Sequence, residues 1–329
     1  MSLVLLLAAT LTAAPAPTLP FEPWPAAEQA RALDGWPESL RYAGTLWVKP
    51  PTGLNTHQGG WSTLQHLGGL RFQSFSDRHG HWLSFDLRLT DAAGAQGGAE
   101  LSAVDYHAHG QLLGSEGEPV EDVESIAQIG ELLLAGRDGE PWLYQLDRRR
   151  QVAVPRLELP GYRPKANDGV EALVFVHGFG PLLAVSEKTR PQGLGKDHRQ
   201  AWLWHPDREP VPLALPLPQP YPPVDATRLP DDSVILLHRH FHQGTTTIGL
   251  SRYPGGPEAW SNPKRPPLGE ALLTLRSDWL TPGALDNFEG IAAFTHEDRT
   301  YLLLIADNNF DWQIPGMQRT LLMLLEWTK

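Results

Sequence analysis

One pattern constrains this chain more than any other. An acidic residue stands beside a small or apolar one, and an apolar run follows that ends in a charged residue. It is densest near the C-terminus, in Asp286-Asn287-Phe288-Glu289-Gly290-Ile291-Ala292 and the run from Tyr301 to Ile305 that closes on Asp307. The same grammar appears in Val123-Glu124-Ser125 leading to Gly136-Arg137, and in Val170-Glu171-Ala172 leading to Ser186-Glu187. It appears again in Val224-Asp225-Ala226 leading to His238-Arg239, and Gly68-Gly69-Leu70 leading to Asp77-Arg78 opens the series. Gly69 and the four acids are separated by 55, 47, 54 and 64 residues.

Between these markers lie short β-like runs, among them Tyr42 to Val48, Trp82 to Leu89, Thr246 to Ser251 and Leu321 to Trp327. Turn residues divide them, which the 31 glycines and 31 prolines supply. Long amphipathic helical periodicity is absent, which excludes a βαβ fold. A repeat of this length holding about four strands predicts an all-β chain folded as a β-propeller. The length left after a leader, divided by a mean spacing of about 55 residues, predicts six blades. The sixth is expected to close by pairing Tyr42 to Val48 with Leu321 to Trp327, which removes the open edge of a ring. A β-sandwich, or two smaller β domains, is the alternative that regular spacing disfavours.

Of the 329 residues, 41% are hydrophobic and 20% charged, enough to bury a sizeable core. The formal net charge of −11 argues against a nucleic-acid partner, which needs cationic surface. The absence of cysteine excludes disulfides, thiol catalysis and cysteine-ligated zinc. The first residues, Leu3 to Leu7 and then Ala8 to Ala14, read as a signal peptide over 1–16, although no Lys or Arg precedes them. An apolar tail on a cytosolic protein is the other reading. A Pro/Ala-rich lead-in over 17–39 precedes the propeller domain at 40–329, and the expected location is periplasmic or extracellular. No stretch reaches the length of a transmembrane segment.

If the marker acids begin the innermost strands, Glu124, Glu171, Asp225 and Glu289 meet at one channel mouth. Carboxylates so gathered repel one another and need a cation, an arginine or a shared proton. Arginine is supplied by Arg78, Arg137 and Arg239 at the ends of the apolar runs. The four acids Glu124, Glu171, Asp225 and Glu289 also make an oxygen-only donor set suited to Ca²⁺. The expected catalytic set is Glu171, Glu289, Asp307 and Arg78. Arg137, Arg239 and Arg319 are expected to hold a small anionic ester. The opposing reading makes the acids capping residues that every blade needs. His238, His240 and His242 share one strand face, but metal sites usually draw ligands from several elements. No Gly-x-Ser-x-Gly elbow and no Gly-x-x-x-x-Gly-Lys loop is present.

The C-terminal stretch Asp286 to Ala292, then Ala306-Asp307-Asn308-Asn309-Phe310 and Gln318-Arg319-Thr320-Leu321-Leu322, resembles the signature of the phytase-like domain family, the "esterase-like activity of phytase" proteins. Gly68-Gly69-Leu70 with Ser76-Asp77-Arg78, Asn167 to Leu173 with Ser186-Glu187, and Leu229-Pro230-Asp231-Asp232 resemble its other pieces in order. The resemblance implies a secreted or periplasmic bacterial propeller and a hydrolase of phosphate or other esters. A propeller that binds a ligand or protein partner without turnover is the alternative. The chain departs from the family pattern in its short Gly69 to Asp77 segment, in Gly136-Arg137 where an acid is usual, and at Asn308.

Overall fold

The structure is a computed structural model that describes residues 21–23, 36–49, 59–92, 97–147, 152–178, 180–277, 285–309 and 319–328. The expected signal peptide lies outside the described residues. Gln318 and Phe310 of the C-terminal stretch lie outside them too. No α-helix occurs among the described residues.

The strands form five sheets arranged as a five-bladed β-propeller. The first blade is β3 (Gln65–Gly68), β4 (Arg71–Phe75), β5 (His81–Asp91) and β6 (Ala99–Gln111). The second is β8 (Val123–Ile129), β9 (Leu132–Arg137), β10 (Trp142–Asp147) and β11 (Val152–Glu158), with β7 (Leu113–Gly114) parallel at its edge. The third runs through β12 (Val170–Phe175), β13 (Leu182–Ser186), β14 (His198–Trp204) and β15 (Val211–Pro216). The fourth runs through β16 (Pro223–Arg228), β17 (Val234–His242), β18 (Thr245–Tyr253) and β19 (Glu270–Arg276). The fifth holds β20 (Asn287–His296), β21 (Arg299–Asp307) and β22 (Leu321–Trp327), completed by two strands from the other end of the chain, β2 (Leu40–Val48) and β1 (Phe21–Pro23).

The expectation of six blades is therefore corrected to five. The N-terminal strand β2 does not begin a blade of its own; it pairs antiparallel with β22, Leu40 opposite Trp327 and Trp47 opposite Leu321. Part of the lead-in also belongs to the sheet, because Phe21–Pro23 pairs with Leu46 to Val48. The residues counted toward a sixth blade are spent on this blade and on connections.

Period-2 alternation explains the ring. In β21, Leu302 and Leu304 pack into the core shared with the fourth blade, while Leu303 and Ile305 pack into the core shared with the first. Leu321, Met323 and Leu325 of β22 likewise face one neighbour, and Leu322 and Leu324 the other. Three further apolar clusters fill the first–second, second–third and third–fourth interfaces. Each blade is thus apolar on both faces, which only a neighbour on each side can satisfy.

Across the fifth blade, buried Glu326 of β22 lies between Arg41 of β2 at 2.6 Å and Arg299 of β21 at 2.5 Å. The two chain ends are tied there by ion pairs as well as by the ladder.

Candidate active site

Four of the five inner strands meet their neighbour with a local register shift at the mouth end. The extra residue is Glu124 in β8, Glu171 in β12, Val224 in β16 and Glu289 in β20. A bulge inserts one unpaired residue and turns its side chain away from the normal alternation. At the same end, the backbone N–H groups of Asp77, Asp138, Glu187 and Arg239 donate to the carbonyls of Gly60, Asp122, Gly169 and Pro222, at 2.8, 3.1, 3.2 and 3.0 Å. Asp307 stands opposite Asn287 in the fifth blade, the equivalent place. Asp138 and Glu187 stand just past the second strand of their blades, Asp77 two residues past it, Asp307 at its end, and Arg239 within β17 just past its pairing with β16. The mouth is built from these two sets of positions. Together they gather seven carboxylates that act on one another, Asp77, Glu124, Asp138, Glu171, Glu187, Glu289 and Asp307, and the Arg239 guanidinium, on which Glu289, Glu187, Asp307 and Glu171 act.

Three expected site residues move by one position. Asp225 follows the bulge rather than occupying it, so Val224 stands where the other blades place glutamate. A one-residue slip on a strand reverses the side chain. The Asp225 carboxylate is buried and accepts from the amides of Ala226 and Ile291, each at 2.7 Å, and of Leu64. It stitches the fourth, fifth and first blades, and it does not join the other acids as a metal ligand. Ser125, at the equivalent position in the second blade, donates its hydroxyl to Val170 O of the third. The second shift is at Arg137: Asp138 fills the ring position, while Arg137 donates from Nε to Glu121 O at 2.8 Å and lies over the Tyr144 ring at 5.1 Å. The third is at Arg78, which is exposed beside the ring member Asp77. Gly69, taken as the first-blade marker, sits in the turn at the far end of the inner strand with φ +58°. Ser62 serves the mouth there, its hydroxyl donating to Val123 O at 2.7 Å.

Arg319 also stands apart. Its amide donates to Asp286 Oδ2 at 2.8 Å and its guanidinium lies over Trp47 at 5.2 Å. His238 is fully buried, with Nδ1 near Tyr221 O at 3.0 Å, and burial drives its pKa down to about 4. It does not join His240 and His242 in a metal site.

Electrostatics at the mouth follow from crowding. Burial, and then the charge of Glu289, pushes Asp77 up to about 7. Burial pushes Asp138 up to about 6, against the pull of Lys188. Burial holds Glu124 and Glu171 well above the usual range, and neighbouring carboxylates add to it. Asp307 is raised by burial and then by Glu289, although Asn309 N donates to its Oδ1 at 2.7 Å. Glu289 is raised by burial but pulled back by Arg239, with which it pairs, and by Asn287 Nδ2 at 2.9 Å. Glu187 pairs with Lys188 at 2.5 Å. Several polar atoms at the mouth are buried without a hydrogen-bond partner among the described residues: Asp77 Oδ1, Asp138 Oδ1 and Arg239 Nε. Buried polar groups are normally paired, so these three face a place that a ligand or water is fit to fill.

The donor set at the mouth is all oxygen, the chemistry a hard cation prefers. Its spacing does not enclose one, since among the described residues no three His, Asp or Glu side chains gather as a metal site. No described helix is long and apolar enough to cross a membrane.

The phytase-like family, described as esterase-like activity of phytase, matches residues 56–310. That span covers all five inner strands and every ring position. No curated protein matches the chain. Among solved structures, a protein of unknown function from Dyadobacter fermentans aligns at 12% identity with a TM-score of 0.45, over 92% of this chain and 88% of that one. The Xanthomonas campestris gluconolactonase aligns at 12% identity and 0.42, over 96% and 99%. The Myxococcus xanthus glutaminyl cyclase aligns at 12% and 0.41, over 88% and 97%.

Proposed function

The chain belongs to the phytase-like family, and from that premise we propose that it hydrolyses esters at the carboxylate ring of the propeller mouth. The observation that carries the reading is the gathering of seven carboxylates with one guanidinium, and Asp77 poised to exchange a proton near neutral pH. A group whose pKa lies near the working pH is the most effective acid or base.

The roles follow from position. Arg239 keeps its charge, and its unpaired Nε is a donor for the ester oxygen that gains charge during attack. Glu289 holds that guanidinium in place. Asp77 in its protonated form gives its proton to the departing alkoxide. Burial, then the charges of Glu289, Asp122 and Asp138, keeps Asp77 protonated against the pull of Arg78. Arg78 and Arg137 lie beside the ring, Arg319 stands apart from it, and all three are assigned to architecture rather than to substrate.

Charge bears on the substrate. A mouth with one guanidinium among seven carboxylates repels a phosphate dianion and admits a neutral ester. A phosphate ester needs added positive charge, and calcium held by Glu124, Glu289 and Asp307 would supply it by neutralising carboxylates. The side chains would have to draw together to hold the ion. Export to the periplasm or beyond is proposed from the N-terminal apolar stretch and the family likeness. The second reading, a propeller that binds a cationic ligand without turnover, draws on the Glu187–Lys188 and Glu289–Arg239 pairs, which such a ligand could replace.

Steady-state assays with 4-nitrophenyl butyrate and 4-nitrophenyl phosphate, with and without Ca²⁺, separate the two. Turnover that falls in Glu289→Gln and Glu171→Gln supports hydrolysis. Purified protein that cleaves neither substrate under any condition removes it, and leaves the binding reading.

A further inference from the structure

Asp138 and Glu171 approach each other across the boundary between the second and third blades, over Gly169. A Cβ at Gly169 would lie 2.6 Å from Asp138 Oδ1 and 3.3 Å from Glu171 Oε1. Those two oxygens are therefore at most 5.9 Å apart, the sum of the two distances. Asp138 Oδ1 is buried with no hydrogen-bond partner. Glu171 is buried, at 8% exposed. Gly169 is not in the left-handed region, so backbone conformation does not demand glycine here; the neighbouring oxygens do.

Two acceptor oxygens no more than 5.9 Å apart come within reach of one water that donates to both, since two O–H···O bonds of about 2.8 Å meeting near the tetrahedral angle span about 4.5 Å. We infer that the recess between Asp138 and Glu171, which Gly169 lets approach each other by carrying no side chain, holds the water that attacks the ester. This rests on the hydrolytic reading of the same mouth. Neither Asp138 nor Gly169 carries the repeated sequence signal, and the fold alone brings them to Glu171.

The surroundings fit that task. Lys188, Glu187, Asp122 and Asp168 act on Asp138, and Glu124, Glu187, Glu289 and Arg239 act on Glu171. The field is negative apart from Lys188 and Arg239, which favours a water turned with its hydrogens toward the carboxylates and a lone pair toward the substrate. In the step, one water hydrogen passes to Asp138 as the oxygen lone pair forms the new bond to the acyl carbon. The bond from that carbon to the alcohol oxygen breaks with its electron pair. The alkoxide takes the Asp77 proton, and Asp138 later releases its proton to solvent.

The test uses the full chain and 4-nitrophenyl butyrate. Asp138→Ala is expected to lower kcat about 100-fold or more, the usual contribution of a general base, with KM changed less than about threefold. Sodium formate should restore at least about tenfold of that loss, because a small carboxylate can enter the vacated space. Gly169→Ala should lower kcat comparably and resist formate, because the methyl group occupies the recess. Asp138→Asn, nearly isosteric, guards against a folding defect and should also lose kcat. Wild-type turnover with kcat retained in Asp138→Asn and Gly169→Ala overturns the water site and leaves ester hydrolysis standing. A loss in Asp138→Ala that formate does not repair makes the residue structural and also overturns it. A wild type without turnover overturns both the site and the hydrolytic reading.

Discussion

Replacing Asp225 by alanine tests whether the bulge, rather than the repeated letter, decides which acids line the mouth. The native carboxylate accepts from the amides of Ala226 and Ile291 at 2.7 Å each, and from Leu64, joining three blades at a buried point. Alanine leaves three buried N–H groups without acceptors, each at a cost of about 1–3 kcal/mol. Water entering the small void recovers part of this, so the expected loss is about 3–5 kcal/mol, a large share of a typical domain's stability. Asp225→Asn should lose less, because its carbonyl still accepts while its NH₂ group faces an amide donor. Urea unfolding followed by tryptophan fluorescence measures both variants. Turnover per folded molecule should stay close to wild type, since the residue does not face the ring. A stability change below about 1 kcal/mol with activity abolished would place Asp225 in the site and refute the register argument.

Other expectations follow from the same contacts. Glu326→Ala removes the carboxylate that Arg41 and Arg299 both contact where β2 meets β22 and β21, and should lower the urea midpoint; an unchanged midpoint would detach these pairs from the stability of the fifth blade. The raised carboxyls give a pH dependence of defined sign. Asp77, at about 7, and Asp138, at about 6, keep protons in the folded chain that the unfolded chain loses near pH 4. Their contribution is full below about pH 4 and is lost as pH rises through 6 to 7, by about 2–4 kcal/mol after allowance for partial exposure. The urea midpoint should therefore be higher at pH 5 than at pH 8, and the opposite order would contradict the burial assigned to these groups. Arg239→Met should lower kcat/KM about 100-fold for a neutral ester, because the ring loses its one guanidinium; near-wild-type rates would remove Arg239 from the site.

Much of this was legible in the sequence, and the failures have physical causes. Glu124, Glu171, Glu289 and Asp307 were found because each blade repeats the same hairpin, and repeated geometry leaves repeated letters. Asp225 carried the same letter one position late. A bulge changes the register without leaving a mark in composition, so Val224 took the lining position and Asp225 the stitching one. Asp138 holds the ring position through its backbone bond to Asp122 O, which the run ending in Gly136-Arg137 does not signal. Backbone bonds from Asp77, Asp138, Glu187 and Arg239 to the preceding blade entry define the ring, and no pattern of side chains encodes them. The blade number came out high because spacing was divided into total length. The five markers counted the blades correctly, whereas the residues before β3 were strands and connections of the fifth blade. The recess beside Gly169 had no sequence signal, as it depends on two oxygens from different blades meeting over one Cα.

The claim that this mouth performs acid–base hydrolysis is tested most directly by the pH dependence of kcat/KM for ethyl butyrate and 4-nitrophenyl butyrate, in wild type and in Asp77→Asn. Ethoxide needs a proton to leave and 4-nitrophenolate does not. The account predicts that wild-type activity on the ethyl ester falls as pH rises through about 7, where Asp77 gives up its proton. Asp77→Asn should lose the ethyl ester activity and keep most of the activity on the nitrophenyl ester. Equal loss on both esters, or a wild-type profile without that fall, would contradict it.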